Sequence, residues 1–95
     1  MAKAISDLQV FGALLGGGYI CEKCDGWTDA RTYTVFVKDE AAQTGNREVG
    51  CITMRQFHGF VGEGIVECVA EHNKDKYGNI FRFYELAHPE KGAVV

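Results

Sequence analysis

Cys21-Glu22-Lys23-Cys24 is the spacing with the most chemical content in the chain. Two thiolates separated by two residues can share one zinc ion, and Gly26 just behind them suits the turn of a zinc knuckle. A structural site needs four ligands. Cys51 and Cys68 are the other cysteines, each inside an apolar stretch where a cysteine serves as a small hydrophobe. His58, His72 and His88 are the residues that can complete a set. A second pair with the same spacing is missing, so Cys21 and Cys24 are half of a metal signal. No other cofactor is expected. Redox use of the pair calls for a helix N-terminus to lower the thiol pKa. Here the turn signal Asp25-Gly26 follows instead.

Nucleophilic chemistry has little to draw on. Ser6 is the only serine, and its spacing to Gln9 marks it as a helix cap. Cys51 or Cys68 with His72 or His88 forms a dyad only if the fold brings the two together. Gly16-Gly17-Gly18 follows an apolar helical run instead of preceding a helix, which is the wrong order for a phosphate cradle. Asp39, Glu40 and Glu63 read as solvated loop carboxylates. No set of residues meets the requirements of a reaction centre, and the chain is read as a non-enzyme.

Contact chemistry is better represented. Arg55, Gln56 and His58 fall on the polar side of a short helix. Arginine and glutamine can read base edges, and arginine is also enriched in protein interfaces. Lys74 and Lys76 sit in a polar turn where they can meet phosphate. Trp27 is the one tryptophan, and its exposure would mark a partner surface.

Charge separates these partners. Ten Lys and Arg stand against thirteen Asp and Glu, for a formal charge of -3. Affinity for nucleic acid comes mainly from basic side chains that neutralise phosphate. The basic residues here are dispersed and mostly have acidic neighbours, so nucleic acid is disfavoured and protein is the expected partner. No run reaches the length of a transmembrane helix. Leu8 to Ile20 is broken by Gly16, Gly17 and Gly18 and lacks the basic start of an export signal. A cytoplasmic, reduced setting is therefore expected.

Ninety-five residues make one domain, with an ordered core expected over about 6–88. Met1 to Ile5 is expected to be a flexible start. Ser6 caps a first helix ending at Gly16, in which Leu8, Phe11 and Leu15 share a face beside Val10 and Leu14. Apolar over much of its circumference, this helix is expected to be largely buried. Strands are predicted at Tyr19–Lys23, Arg31–Lys38, Arg47–Ile52, Ile65–Ala70 and Ile80–Ala87. Val49 and Cys51 share a face in this reading. In the last strand Ile80, Arg82, Tyr84 and Leu86 alternate with Phe81, Phe83 and Glu85, so cover on both faces is expected. Thr53 and Gln56 form a second capping box. The helix they open, Met54 to Val61, turns Met54, Phe57, Phe60 and Val61 inward, with Gly62 and Gly64 ending it. The expected class is α+β: two short helices on a small antiparallel sheet.

Within that order, "ITMRQFHGFVGEGIVECV" followed by "FRFYELAHPEKG" resembles the end of a winged-helix domain, in which a helix leads into a two-stranded wing. Phe57, Phe60 or Val61, Gly64, Ile65, Val66, Tyr84 and Leu86 carry the likeness. The front of the chain is similar to small phage-encoded proteins that open with "LxxLxxGG". The resemblance implies either a DNA-binding regulator or a phage-type inhibitor of a host protein or nucleoprotein complex, in the style of anti-CRISPR proteins. A winged helix needs a middle helix to set its docking angle on DNA. The segment between the two helices reads as strands, so the protein-binding inhibitor is the preferred expectation. The DNA-binding regulator and a zinc-stapled interaction module are the alternatives.

Overall fold

The computed structural model describes residues 3–73 and 76–87. Two helices and five strands follow in the order α1 (Asp7–Leu15), β1 (Tyr19–Cys24), β2 (Arg31–Lys38), β3 (Asn46–Ile52), α2 (Met54–Gly62), β4 (Val66–His72) and β5 (Ile80–Leu86). The strands form one antiparallel sheet in the order β3-β2-β1-β5-β4. Both helices lie on one of its faces, and the class is α+β.

Both helices begin as their side chains dictate. The Ser6 amide donates to Gln9 Oε1 (2.9 Å) and the Gln9 amide to Ser6 Oγ (3.3 Å). Thr53 and Gln56 repeat the arrangement at 2.9 and 3.1 Å. Each box satisfies two of the amides that a helix start leaves unpaired. Gly64 follows α2 with φ +71°, a backbone that favours glycine.

The core lies between the helices and the sheet. Val10, Ala13 and Leu14 of α1 and Phe57 and Phe60 of α2 pack over Ile20, Tyr33, Val35, Ile52 and Val66. Phe57 stacks on Tyr33 at 4.3 Å between centroids and meets Tyr84 edge-on at 4.8 Å. Gly18 allows the close return from α1 into β1. A Cβ there would stand 2.2 Å from the Phe36 carbonyl oxygen and 2.7 Å from that of Ala13.

Four expectations are corrected. Lys3 to Ile5 are tied down, not free, while Met1 and Ala2 lie outside the described residues: the Ile5 amide donates to the Cys51 carbonyl, the Cys51 amide donates to the Lys3 carbonyl, and Ile5 is buried in the core. α1 is not largely buried, because the Val10-Ala13-Leu14 side faces the sheet while Leu8 and Leu15 are 81% and 72% exposed. On α2, Phe57 and Phe60 carry the packing, and Met54 and Val61 stay 49% and 40% exposed. Val49 does not pair beside Cys51: it is the extra residue of a bulge between the Val35–Gly50 and Phe36–Glu48 pairs, and it packs against the core.

The reading of β5 is corrected as well. Tyr84 and Leu86 pack against the core on the helix side. Phe81 and Phe83 lie on the other face, over which the described residues place no second layer. Phe83 is sheltered by its neighbours instead, meeting Tyr19 edge-on at 5.7 Å and His72 at 5.5 Å.

Candidate functional site

Trp27 stands at the tip of the β1–β2 loop, 84% exposed. The loop under it is closed by its own hydrogen bonds. The Asp25 carboxylate accepts from the Trp27 amide (2.7 Å) and the Thr28 amide (3.2 Å). These two donors hold the Asp25 carboxyl below its ordinary pKa. The Thr28 hydroxyl accepts from the Ala30 amide, and the Asp25 amide donates to the Ala30 carbonyl. Asp29 completes the turn at φ +60°, a conformation that aspartate tolerates better than most residues.

A second loop braces the first. The Gly26 amide donates to Asn79 Oδ1 at 3.0 Å. Gly26 lies so close to the β4–β5 loop that a Cβ on it would stand 2.6 Å from backbone atoms of Tyr77 and Gly78. Tyr77, beside Gly78, is 58% exposed, and the Lys76 ammonium lies 5.1 Å from its ring centroid. Trp27 and Lys76, far apart in sequence, are thus brought to the same end of the sheet. Lys74 lies outside the described residues.

Behind this end a buried carboxylate holds the sheet. Glu22 is 3% exposed in the middle of β1. Arg31 reaches it at 3.5 Å and Arg82 at 3.3 Å, and Arg82 also donates to Glu71. The register explains the cluster, since Glu22 pairs with both Tyr33 and Arg82, and Arg82 with Glu71. Burial, then the nearby Glu22 carboxylate, pushes the Tyr33 and Tyr84 hydroxyls above their ordinary pKa. The Tyr33 hydroxyl is buried without a hydrogen bond of good geometry among the described residues. Sequence reasoning missed this cluster. The available signal was a glutamate alternating with Ile20 on the buried side of a strand, with two arginines at strand positions to meet it.

The remaining candidates lie elsewhere. Arg55 and His58 are exposed on α2, His58 against the Phe57 ring at 5.8 Å. Gln56 is occupied internally. Its carbonyl accepts from Thr53, and its amide nitrogen donates to the Ile5 carbonyl (3.0 Å) and to Asp7 Oδ1 (2.9 Å). Beside it runs an open interhelical groove of about 390 Å³. Phe11, Phe60 and Ile65 supply its apolar lining, and Asp7, Arg55 and Glu63 its charged groups. This groove can hold an apolar side chain. Among the described residues no cysteine, serine or histidine lines it.

Cys21 and Cys24 are three positions apart on one extended strand, so their side chains leave opposite faces of the sheet. Burial, with Glu22 adding to it, raises the Cys21 thiol pKa, which disfavours the thiolate a metal needs. Among the described residues the cysteines form no disulfide. Among the described residues no three His, Cys, Asp or Glu side chains converge as metal ligands. His88 lies outside the described residues. No helix among the described residues is long and apolar enough to cross a membrane.

Compared with known proteins, the chain matches no family model, no curated protein and no solved structure.

Proposed function

We propose that the chain is a non-enzymatic binding protein whose paired loops, Trp27 in one and Tyr77 in the other, dock on a partner protein. One observation carries the reading: Trp27 is 84% exposed on a loop that internal hydrogen bonds have already ordered. A tryptophan left in water costs solvation free energy that a partner can recover. Burying a ring of this size removes roughly 150–200 Å² of mostly apolar surface from water, worth about 4 kcal/mol before association costs. A pre-ordered anchor loses little further entropy on docking. The loop pair carries charges of both signs, Asp25 and Asp29 against Lys76 and the nearby Arg31, which suits a polar rim around an aromatic centre. The acidic balance of the chain favours protein over nucleic acid. The phage-like opening of the sequence supplies the wider reading, an inhibitor or modulator of a host protein or nucleoprotein complex.

The test is capture from host lysate with three immobilised proteins: the wild type, Trp27→Ala, and Leu8→Ala as a control for general stickiness. A band retained by the wild type and Leu8→Ala but lost with Trp27→Ala is the expected result. Identical retention by all three removes Trp27 as the anchor.

A further inference from the structure

The sheet face turned away from the helices carries a second surface, independent of Trp27. Tyr19 and Phe36 stack there at 5.2 Å, and Tyr19 also meets Phe83 edge-on. The register sets the face out in rows. Cys21 pairs with Thr34 and Phe83 in a central apolar row. On one side of it lies a row with Phe36, Tyr19, Glu85 and Glu67; on the other, a row with Thr32, Lys23, Phe81 and His72. One flank of the aromatic face thus carries Glu48, Glu67 and Glu85, and the other carries Lys23 and His72, with Asp25 near Lys23. Among the described residues nothing covers it.

From this pattern we infer that the face binds a second copy of the same chain, sheet against sheet. A symmetric dimer has a two-fold axis between the sheets. An axis along the strands would lay Lys23 on Lys23 of the other copy, with the acidic rows superposed. An axis across the strands inverts the rows. It sets Lys23 over Tyr19 and beside Glu85 of the other copy, and His72 over Glu67. The charges therefore reject one symmetric arrangement and favour the other, while the Cys21 and Phe83 row meets itself at the centre. Aligned sheets pack about 10 Å apart, rotated by about 30°, which long lysine and glutamate side chains can span.

Area sets the strength. Five strands about 4.8 Å apart and roughly 20 Å long offer on the order of 500 Å² per copy, near the lower limit for a specific interface. The dimer is accordingly a reversible one that forms as concentration rises. Its polar pairs make it weaker in high salt.

Sedimentation velocity on the full chain, from low micromolar to millimolar concentration, tests this with a charge swap. Lys23 and Glu85 are both exposed, so Lys23→Glu and Glu85→Lys should keep the wild-type circular dichroism and melting temperature. Each variant alone places like charges at both symmetry-related contacts, and self-association should weaken at least about tenfold. In an equimolar mixture each contact regains opposite charges, and the dimer mass should return. A wild type that stays monomeric throughout, single variants that associate like the wild type, or a mixture that does not regain the dimer would each overturn the proposal.

Discussion

Glu22 is a charge held 3% exposed between two arginines that reach solvent themselves. Removing one partner of a fully buried pair costs roughly 3–5 kcal/mol. Because the arginines are only partly buried, Glu22→Ala is expected to fall below that range, at about 2–3 kcal/mol of unfolding free energy by urea titration. A loss under about 0.5 kcal/mol, the range of ordinary surface changes, would show that the cluster is not structural. Asp25 gives the pH prediction. Its pKa is lowered in the fold by the Trp27 and Thr28 amides. A lowered carboxyl contributes order that is present above its unfolded value, about 3.9, and lost as pH falls through the lower folded value. Trp27 fluorescence should therefore hold steady down through pH 4 and change only in stronger acid, and Asp25→Asn should remove that acid step. A transition centred above pH 4 would contradict this account of the loop. Among the thiols, Cys68 is exposed and Cys21 is half-buried with a raised pKa. Under native conditions a maleimide should label Cys68 first and Cys21 slowly, as peptide mapping would show.

At the scale of elements, α2 is a short helix whose start is fixed twice, by its capping box and by Gln56 tying it to Ile5 and Asp7. Thr53→Ala should cost about 1 kcal/mol, the usual loss for a cap. Gln56→Ala should cost more, because it also leaves the Ile5 carbonyl without that donor. Equal losses for the two variants would mean that the link to the first segment contributes nothing. The paired loops behave as one unit through Gly26. Gly26→Ala must push the β4–β5 backbone away, so it should weaken partner capture nearly as much as loss of the Trp27 ring.

What could be read from the chain follows the range of the interactions. The capping boxes join residues three positions apart and the hairpins residues seven to twenty apart, and their elements were legible almost to the residue. The burial of Ile5 was not, because its pairing partner Cys51 lies on the far side of two hairpins. The periodicity of α1 is apolar nearly all round, so only the sheet decides that Val10 and Leu14 go in while Leu8 and Leu15 stay out. Alternation in β5 places apolar residues on both faces, but cannot tell a covering layer from aromatic rings that shelter one another. Trp27 was legible as a candidate. Its bracing was not, since Gly26 meets Asn79 across fifty-three positions.

Taken whole, the molecule divides its surfaces. Helices shield one face of the sheet, aromatic rings line the other, and the Trp27 and Tyr77 loops project from one end. That end is where the protein is proposed to meet its partner, and comparative capture tests the claim most directly. With wild type, Leu8→Ala and Trp27→Ala immobilised at equal density, the account predicts one partner retained by the first two. Its affinity for the third should be lower by about ten- to a hundredfold, the range of a lost aromatic hot spot. Equal affinity of all three proteins for that partner would contradict it.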